Sequence, residues 1–381
     1  MTDPQNWLPP TNPERPESRY GAYGPGGGSP TAPAGGPPPG WAPPPKPGLI
    51  PLRPLDFGML LWAPFQVLRR NPKATFGSAL IVQSVVTLFT LVVIGLVTFV
   101  ALGRIDSASP DEREAVEAGS IAAIVLSALI PVALSVIASA LLQGVIVVEV
   151  ARATLGEKLR LGQLWRAAGR RLWPLVLWAL LLSAAILLAV ALVVGGTVLF
   201  VTLGGGWVGL GVAIGVLGGM ALIAGGSWLS TKTSLVPSLI VLERLGIGRA
   251  VRRSWSLTNG YFWRTLGILM LVALIVNVIA QIVTTPLAML FSIAVSLVDP
   301  NAAFEAWIPA IILYVLTLFF TLVIGAVTAV IQSATTAVIY IDLRMRKEGL
   351  DLELQRFVES AREDGIADPY LVAPGGQPGA P

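Results

Sequence analysis

Residues 232–267, KTSLVPSLIVLERLGIGRAVRRSWSLTNGYFWRTLG, separate two long apolar segments and decide how the rest of the chain is interpreted. Their central part has helical periodicity, with apolar side chains on one side and arginines on the other. Such a helix lies in a membrane surface, with its cationic side toward the lipid headgroups. Asn259 and Gly260 end it, and the aromatic and cationic residues 261–264 follow where a span enters the bilayer. The predicted apolar side is Ile247, Ala250, Val251, Ser254 and Trp255, and the predicted cationic side is Arg249, Arg252 and Arg253.

The composition indicates an integral membrane protein. Hydrophobic residues make up 54% of the 381 residues, charged residues only 13%, and the mean hydropathy is +0.74. The chain has no cysteine, which excludes disulfides and thiolate catalysis. It has no histidine, which removes the usual proton shuttle and the commonest metal ligand. Because the sequence also offers no nucleophile with a base partner, we expect no enzymatic activity and no cofactor.

Six apolar stretches are long enough to cross a bilayer. Each exceeds the roughly 20 residues that a helix needs to span the hydrocarbon core, and only helices or closed barrels satisfy their backbone there. We therefore predict an all-α polytopic membrane protein. The predicted spans are residues 74–102, 120–150, 172–203, 207–229, 262–298 and 307–341, with a kink near Pro237 after the fourth.

The distribution of basic residues predicts the orientation. The tails and the loops after spans two and four carry 24 of the 26 Lys and Arg, and only Arg104 and Arg113 lie on the opposite side. Cytoplasmic loops are enriched in Lys and Arg, so both termini are expected in the cytoplasm. We expect the protein in a bacterial inner membrane.

The chain divides into three parts. Residues 1–54 form a Pro- and Gly-rich tail that we predict to be disordered and cytoplasmic. Residues 55–345 form the six-helix domain, and residues 346–381 a cytoplasmic C-terminal helix with a disordered tail. Within the domain we predict three parallel helical hairpins, each preceded by a cytoplasmic amphipathic helix, over about 57–152, 160–244 and 247–344. An acid and a following arginine close each unit: Glu149 with Arg152, Glu243 with Arg244, and Asp342 with Arg344.

Several short segments resemble a known family. They are PLRPL at 51–55, LWR at 164–166, RRSW at 252–255 and YIDLR at 340–344. They look like the actinobacterial multi-pass family labelled glycerophosphoryl diester phosphodiesterase membrane domain, over roughly residues 50–355. The resemblance implies a membrane module. It does not imply the phosphodiesterase activity, because the catalytic domains of that class resemble barrels that use histidines and metal-binding carboxylates, and this chain has no histidine.

Cationic residues near the predicted membrane surface are candidate contacts for anionic lipid headgroups, each contributing about 1 kcal/mol of attraction. For Lys232, snorkelling from the inner end of span four is the simpler alternative. Nucleic acid is not expected as a partner, because the neighbouring tryptophans fit an interfacial belt better than base stacking. The candidate headgroup contacts are Lys232, Arg249, Arg252, Arg253, Arg264, Arg166 and Arg170.

Polar side chains also occur inside the apolar spans. Span two has Ser135, Ser139 and Gln143 at four-residue spacing, and span six has a similar stripe that includes Gln332. Such stripes either line a hydrated path or form interhelical hydrogen bonds in a packed interior. If the four amides of the spans meet at one cavity, a transport path is indicated. These candidate interior residues are Gln143, Asn277, Gln281 and Gln332, and Gly211, Gly215 and Gly219 are predicted to allow close helix packing.

Two functions remain open at this point. The first is a lipid-contacting or scaffold component of the cell envelope, in contact with membrane lipids and other membrane proteins. The alternative is a small-solute transporter or channel that uses the bundle interior. The basic surface helices favour the first, and the polar stripes within the spans favour the second.

Overall fold

The structure is a computed structural model that describes residues 48–169, 172–299, 303–360 and 368–371. Over these residues the chain is helical, and no strand is found in them. The helices are α1 Phe57–Arg70, α2 Phe76–Ser107, α3 Arg113–Ser127, α4 Leu129–Thr154, α5 Leu161–Gly169, α6 Leu172–Thr202, α7 Trp207–Thr233, α8 Val236–Val241, α9 Ile247–Thr258, α10 Phe262–Ser296, α11 Phe304–Glu348 and α12 Leu350–Ser360.

Six helical stretches are long and apolar enough to cross a membrane, which confirms the predicted all-α, six-span fold. They are α2, α3 with α4, α6, α7 with α8, α10 and α11, each between 31 and 45 residues long. They alternate between two ends of the bundle. We call the end that carries α1, α5, α8, α9 and α12 the polar end, and the end that carries the connections at 108–112 and 203–206 and the residues 297–299 the loop end.

Two helix boundaries differ from the sequence-based prediction. The expected kink near Pro237 is a full break, with α7 ending at Thr233 and α8 beginning at Val236. Pro237 lies in the first turn of α8, where its missing N–H interrupts no helical hydrogen bond. The sixth span was expected to stop at residue 341, but α11 continues to Glu348 and ends at Gly349, whose φ of 67° suits glycine.

The end of the predicted disordered tail, residues 48–54, is packed against the helices. Residues 1–47 lie outside the described residues, but residues 48–55 pack against the polar end, with Leu49 N donating to Ala153 O at 2.9 Å. Leu55 is fully buried. Gly48 approaches α4 so closely that a Cβ there would lie 2.3 Å from Thr154 O. The predicted C-terminal tail is described only at residues 368–371 beyond α12.

Five helices form a closed ring. The helix α4 packs against α6 and α11, α6 against α7, α7 against α10, and α10 against α11. The helix α2 packs outside this ring against α4 and α11, while α8 contacts α4, α6 and α11 at the polar end. The arrangement of the chain as three parallel hairpins and the position of α1, α5 and α9 in a membrane plane stay predictions.

Glycines set the close approach of α6 and α7. A Cβ at Gly211 would lie 2.8 Å from Val201 Cγ2, and one at Gly218 would lie 2.7 Å from Val193 Cγ1. Gly215 similarly faces Thr197. The predicted packing glycine Gly219 instead borders open space. The helical spacing therefore places Gly218, not Gly219, on the packed side.

Burial is concentrated toward the polar end. Every residue of the stretch 144–151 in α4 and of the stretch 337–345 in α11 is buried. Apolar side chains nearer the loop end are exposed instead, as for Leu199 at 57%, Leu290 at 52% and Phe319 at 57%. Exposed apolar surface of this extent is what lipid contacts in a membrane protein. The inter-helix core therefore lies at the polar end.

Candidate functional site

The five-helix ring encloses a cavity of about 920 Å³. Gln143 of α4, Asn277 of α10 and Gln332 of α11 all line it. A meeting of the interior amides at one cavity was the condition for a transport path, and three of the four candidates meet it. Four-residue spacing places Gln143 on the same side of α4 as Ser135 and Ser139, which also line the cavity.

The fourth predicted interior amide lies elsewhere. Gln281 is exposed on α10 and does not line the cavity. Its Oε1 accepts a hydrogen bond from Thr285 Oγ1 at 3.0 Å. Along α10 the cavity wall extends from Leu266 to Asn277, and Gln281 lies about one turn beyond it toward the loop end.

Several hydroxyl groups of the cavity wall are bonded within their own helices. Ser135 Oγ donates to Val132 O at 2.8 Å, Thr231 Oγ1 to Ser227 O at 2.8 Å, and Thr335 Oγ1 to Ile331 O at 2.7 Å. These bonds are not the interhelical hydrogen bonds of the packing alternative. Each hydroxyl oxygen still has lone pairs that can accept a hydrogen bond from a molecule in the cavity.

The three cavity amides have no protein partner. Within the described ranges, the side chains of Gln143, Asn277 and Gln332 make no hydrogen bond to the protein. An amide moved from water to an apolar medium without a partner loses about 2–7 kcal/mol, depending on the reference state. Lipid chains cannot replace that partner. Gln143 is half-buried, and Asn277 and Gln332 are exposed where they line the cavity, so all three amides are open to water or to a polar ligand there.

The short helix α8 closes the cavity at the polar end. All six residues of α8 are buried, and Pro237 forms part of the cavity wall. Thr231 and Thr335, which line the cavity near this end, are buried. On α10, Met270 and Leu274 line the cavity and are 58% and 59% exposed. The cavity is thus closed by α8 at the polar end and is open at its side, beside α10.

Glu243, two residues after α8, is the centre of a buried ionic cluster. Its side chain is fully buried and forms an ion pair with Arg253 of α9 and, at 3.7 Å, with Arg344 of α11. Tyr340 Oη donates to Glu243 Oε1 at 3.0 Å. Both guanidinium groups also bond to Glu348 at 2.9 Å. We call these five residues the Glu243 cluster.

The predicted pair of Glu243 with Arg244 is wrong. Arg244 is exposed, and its φ of 57° marks the point where the chain turns away from α8. Because neighbouring side chains diverge at such a turn, Glu243 points into the bundle and Arg244 points out. The predicted pair of Asp342 with Arg344 is also wrong, since residues two apart on a helix face different directions.

Asp342 instead binds the N-terminal segment. Its Oδ1 accepts from Leu55 N at 2.8 Å, and its carboxylate pairs with Arg346 at 3.0 Å and with Arg264 at 3.7 Å. Arg264 Nη2 also donates to Leu55 O at 2.7 Å. The backbone of Leu55 is therefore held from both sides by α10 and α11, which positions the chain just before Asp56 caps α1.

The third predicted pair, Glu149 with Arg152, is also replaced. Glu149 is buried and accepts from Asn71 Nδ2 at 3.0 Å. Arg152 pairs with Asp368 at 2.8 Å and with Glu157 at 3.6 Å. The side chain of Arg152 reaches Asp368 in the C-terminal segment. Glu149 is therefore bound by Asn71, which lies between α1 and α2.

The C-terminal segment 368–371 is held at the same end. Tyr370 Oη donates to Ala151 O at 3.0 Å, and Tyr370 O accepts from Arg344 Nη1 at 3.3 Å. Burial, followed by the nearby charge of Asp368, raises the pKa of Tyr370 above its usual value. The phenol is therefore neutral and able to donate.

Three of the predicted headgroup contacts are used inside the protein. Lys232 is 6% exposed, and its Nζ donates to Asn259 Oδ1 at 2.9 Å beside the rings of Trp255 and Phe262. It does not snorkel, because Asn259 at the end of α9 provides a partner close by. Arg253 and Arg264 are bound as described above.

The other cationic candidates differ in position. Arg166 of α5 and Arg249 and Arg252 of α9 are exposed, whereas Arg170 lies outside the described residues. The predicted apolar side of α9 packs on the protein through Ala250 and Ser254, with Ser254 Oγ donating to Lys232 O at 2.6 Å. In the described part of the chain, no group of three or more acidic side chains is placed to hold a metal ion.

Sequence reasoning missed the residues that close the cavity and bind the ionic groups. The run LVPSLIVLE, residues 235–243, was interpreted as a kinked extension of span four, although its length of apolar residues ending in an acid could have indicated a separate buried helix. Tyr340 stands four residues before Arg344, a spacing that brings two side chains together on a helix.

The ring of membrane-length helices, its interior amides and its closed polar end define a multi-pass integral membrane protein with a cavity whose wall carries polar side chains. Comparisons with protein-family models, with curated proteins and with solved structures find no match to this chain. The particular function is therefore argued from the cavity itself.

Proposed function

We propose that this membrane protein binds a solute in the cavity of the five-helix ring and passes it across the membrane when α8 moves. The observation that supports this most directly is the convergence of three amides from three different helices on one cavity, without protein partners in the described residues. Polar groups inside a membrane domain are costly and are typical of substrate pathways. No chemical reaction on the solute is part of the proposal.

The proposed orientation follows from charge. The polar end carries almost all basic residues, so we assign it to the cytoplasm. The cavity then lies on the outer side of α8, which separates it from the cytoplasmic side. Passage requires α8 to leave its position between α4, α6 and α11, and its attachment to the Glu243 cluster sets how readily it does so.

The absence of cysteine makes a direct accessibility test possible. Asn277→Cys and Gln332→Cys in otherwise native protein are treated in intact cells with a membrane-impermeant maleimide, which reacts only with a hydrated thiolate. The matched control is Ile279→Cys, because Ile279 lies two residues from Asn277, is 51% exposed and does not line the cavity. We expect labelling at positions 277 and 332 and none at 279. Equal labelling at 277 and 279 would contradict the proposal.

A test of passage completes this experiment. Proteoliposomes that contain the protein are loaded with a concentration gradient of an uncharged solute, and its flux is followed by light scattering. A bulky residue in the wall, as in Ser139→Trp, should abolish the flux, whereas Gln281→Trp outside the cavity should leave it unchanged. Flux that is identical in both variants and in empty liposomes would show that the cavity conducts nothing.

A second candidate function is a lipid-contacting or scaffold role, favoured by the exposed Arg166, Arg249 and Arg252. At about 1 kcal/mol each near an anionic leaflet, three such residues would contribute about 3 kcal/mol. Mass spectrometry of lipids that co-purify with the protein tests it. The triple change of these residues to Gln should reduce the anionic lipid bound, while Arg264→Gln, inside the protein, serves as the internal control.

The family resemblance of the sequence segments stays a prediction.

A further inference from the structure

The chemistry of the cavity wall restricts which solutes it can hold. None of the described residues that line it is Asp, Glu, Lys or Arg. Lys232 lies between two lining threonines, but its ammonium group is directed to Asn259 at the end of α9. An ion that entered the cavity would lose its hydration shell without meeting a countercharge. The wall therefore favours an uncharged ligand.

The cavity wall carries both hydrogen-bond donors and hydrogen-bond acceptors. The amides of Gln143, Asn277 and Gln332 each offer two N–H donors and one oxygen acceptor. The hydroxyls of Ser135, Thr231 and Thr335 use their protons on helix carbonyls, so they present only acceptors to the cavity. A ligand that matches this wall must both donate and accept at closely spaced positions. Hydroxyl groups have this property.

The helix α6 supplies a largely apolar part of the wall. Trp178 and Leu182 line the cavity from this helix, together with the buried Leu175. An indole face packs well against the C–H faces of a ring or carbon chain whose hydroxyls point the other way. The volume of about 920 Å³ lies within the range of roughly 300–1,000 Å³ common for small-molecule sites.

We propose that the cavity binds an uncharged polyhydroxyl group, supplied either by a free polyol or sugar or by the headgroup of a neutral glycolipid. This inference rests on the proposed solute-binding function and names its ligand class. The two sources share the same hydroxyl chemistry in the cavity. They differ in whether a hydrocarbon chain accompanies it through the exposed apolar side of α10 at Met270 and Leu274.

The test uses the full chain in phosphatidylcholine nanodiscs prepared without sugar-based detergent, so that octyl glucoside is present only as an added probe below its micellar concentration. Binding is measured through the change in tryptophan fluorescence on titration with maltose, sorbitol and octyl glucoside. Gluconate and glucosamine are the charged counterparts. We expect saturable binding of at least one neutral probe and binding at least about tenfold weaker for the charged ones, because the wall offers no countercharge. Binding of maltose or sorbitol indicates a free solute, and binding of octyl glucoside alone indicates a glycolipid headgroup.

The variants locate the binding. Asn277→Leu and Gln332→Leu should each weaken binding about three- to tenfold, the value of one neutral hydrogen bond. Gln281→Leu removes the same group from α10 outside the cavity and should leave binding unchanged. Elution profiles on size exclusion verify that each variant is folded. Because Asn277 and Gln332 lie on different helices, failure of one variant to fold leaves the other as a test.

The outcomes separate this inference from the proposed function. If maleimide labels position 277 but charged and neutral probes bind equally, or no probe binds, the proposed ligand class is wrong and the hydrated cavity is still supported. If maleimide does not label position 277, both the proposed function and the proposed ligand class are wrong. Equal effects of the Asn277 and Gln281 variants would place any binding outside the cavity.

Discussion

Glu243 connects the end of α8, the helix that closes the cavity, to two neighbouring helices. Its carboxylate is fully buried and pairs with Arg253 of α9 and Arg344 of α11, and it accepts a hydrogen bond from Tyr340. Both arginines also bind Glu348. Because Glu243 follows α8 by two residues, its ion pairs determine the position of α8. We therefore develop the change Glu243→Gln as the main prediction.

The expected magnitude follows from the arrangement of charges. Removal of one partner from a buried ion pair costs about 3–5 kcal/mol, because it leaves the other charge buried without compensation. In this protein Glu348 still neutralises part of the charge of both guanidinium groups, each at 2.9 Å. We therefore expect the lower end, a loss of about 3 kcal/mol in the free energy of unfolding. The amide oxygen of Gln can still accept from Tyr340, so that hydrogen bond is retained.

The assay is reversible unfolding in mixed micelles, followed by circular dichroism. Arg244→Gln is the matched control, because Arg244 is adjacent in sequence but exposed, and it should change the free energy by less than about 0.5 kcal/mol. Glu348→Gln should fall between the two, because its side chain is 17% exposed. If Glu243→Gln and Arg244→Gln destabilise the protein equally, the buried cluster does not hold α8 as argued here.

Three further changes test other parts of the structure. Tyr370→Phe should cost about 1 kcal/mol and make the C-terminal segment more sensitive to protease. Because the pKa of Tyr370 is raised in the folded state, its contribution is present below pH of about 10 and is lost as pH rises further, a loss that the Phe variant should not show. Gly218→Val should destabilise the α6–α7 contact by about 1–3 kcal/mol in thermal unfolding, with Gly219→Val near neutral. Lys232→Met should cost about 1–2 kcal/mol by the same measurement, and Arg252→Met should have almost no effect.

The interior of the ring could be predicted in part from spacing. Four-residue repeats placed Ser135, Ser139 and Gln143 on one side of a helix, and a helix side is a local property of the chain. The spacing of Asn277 and Gln281 predicted the same for both, but only Asn277 lines the cavity. The difference arises because the cavity wall on α10 ends at Asn277, and how far a cavity extends depends on all the helices that surround it.

The sequence by itself determined the membrane class, the number of spans and most helix limits. Hydropathy and length are properties of a continuous segment, so the six spans and the helix 247–258 followed from residues close together in the chain. The tertiary structure decided which acid meets which arginine. Glu243 lies 101 residues from Arg344 in the 381-residue chain yet pairs with it, whereas the adjacent Arg244 turns away. A buried charge takes the partner that reaches it in space, and that partner exists only once α8, α9 and α11 have packed together.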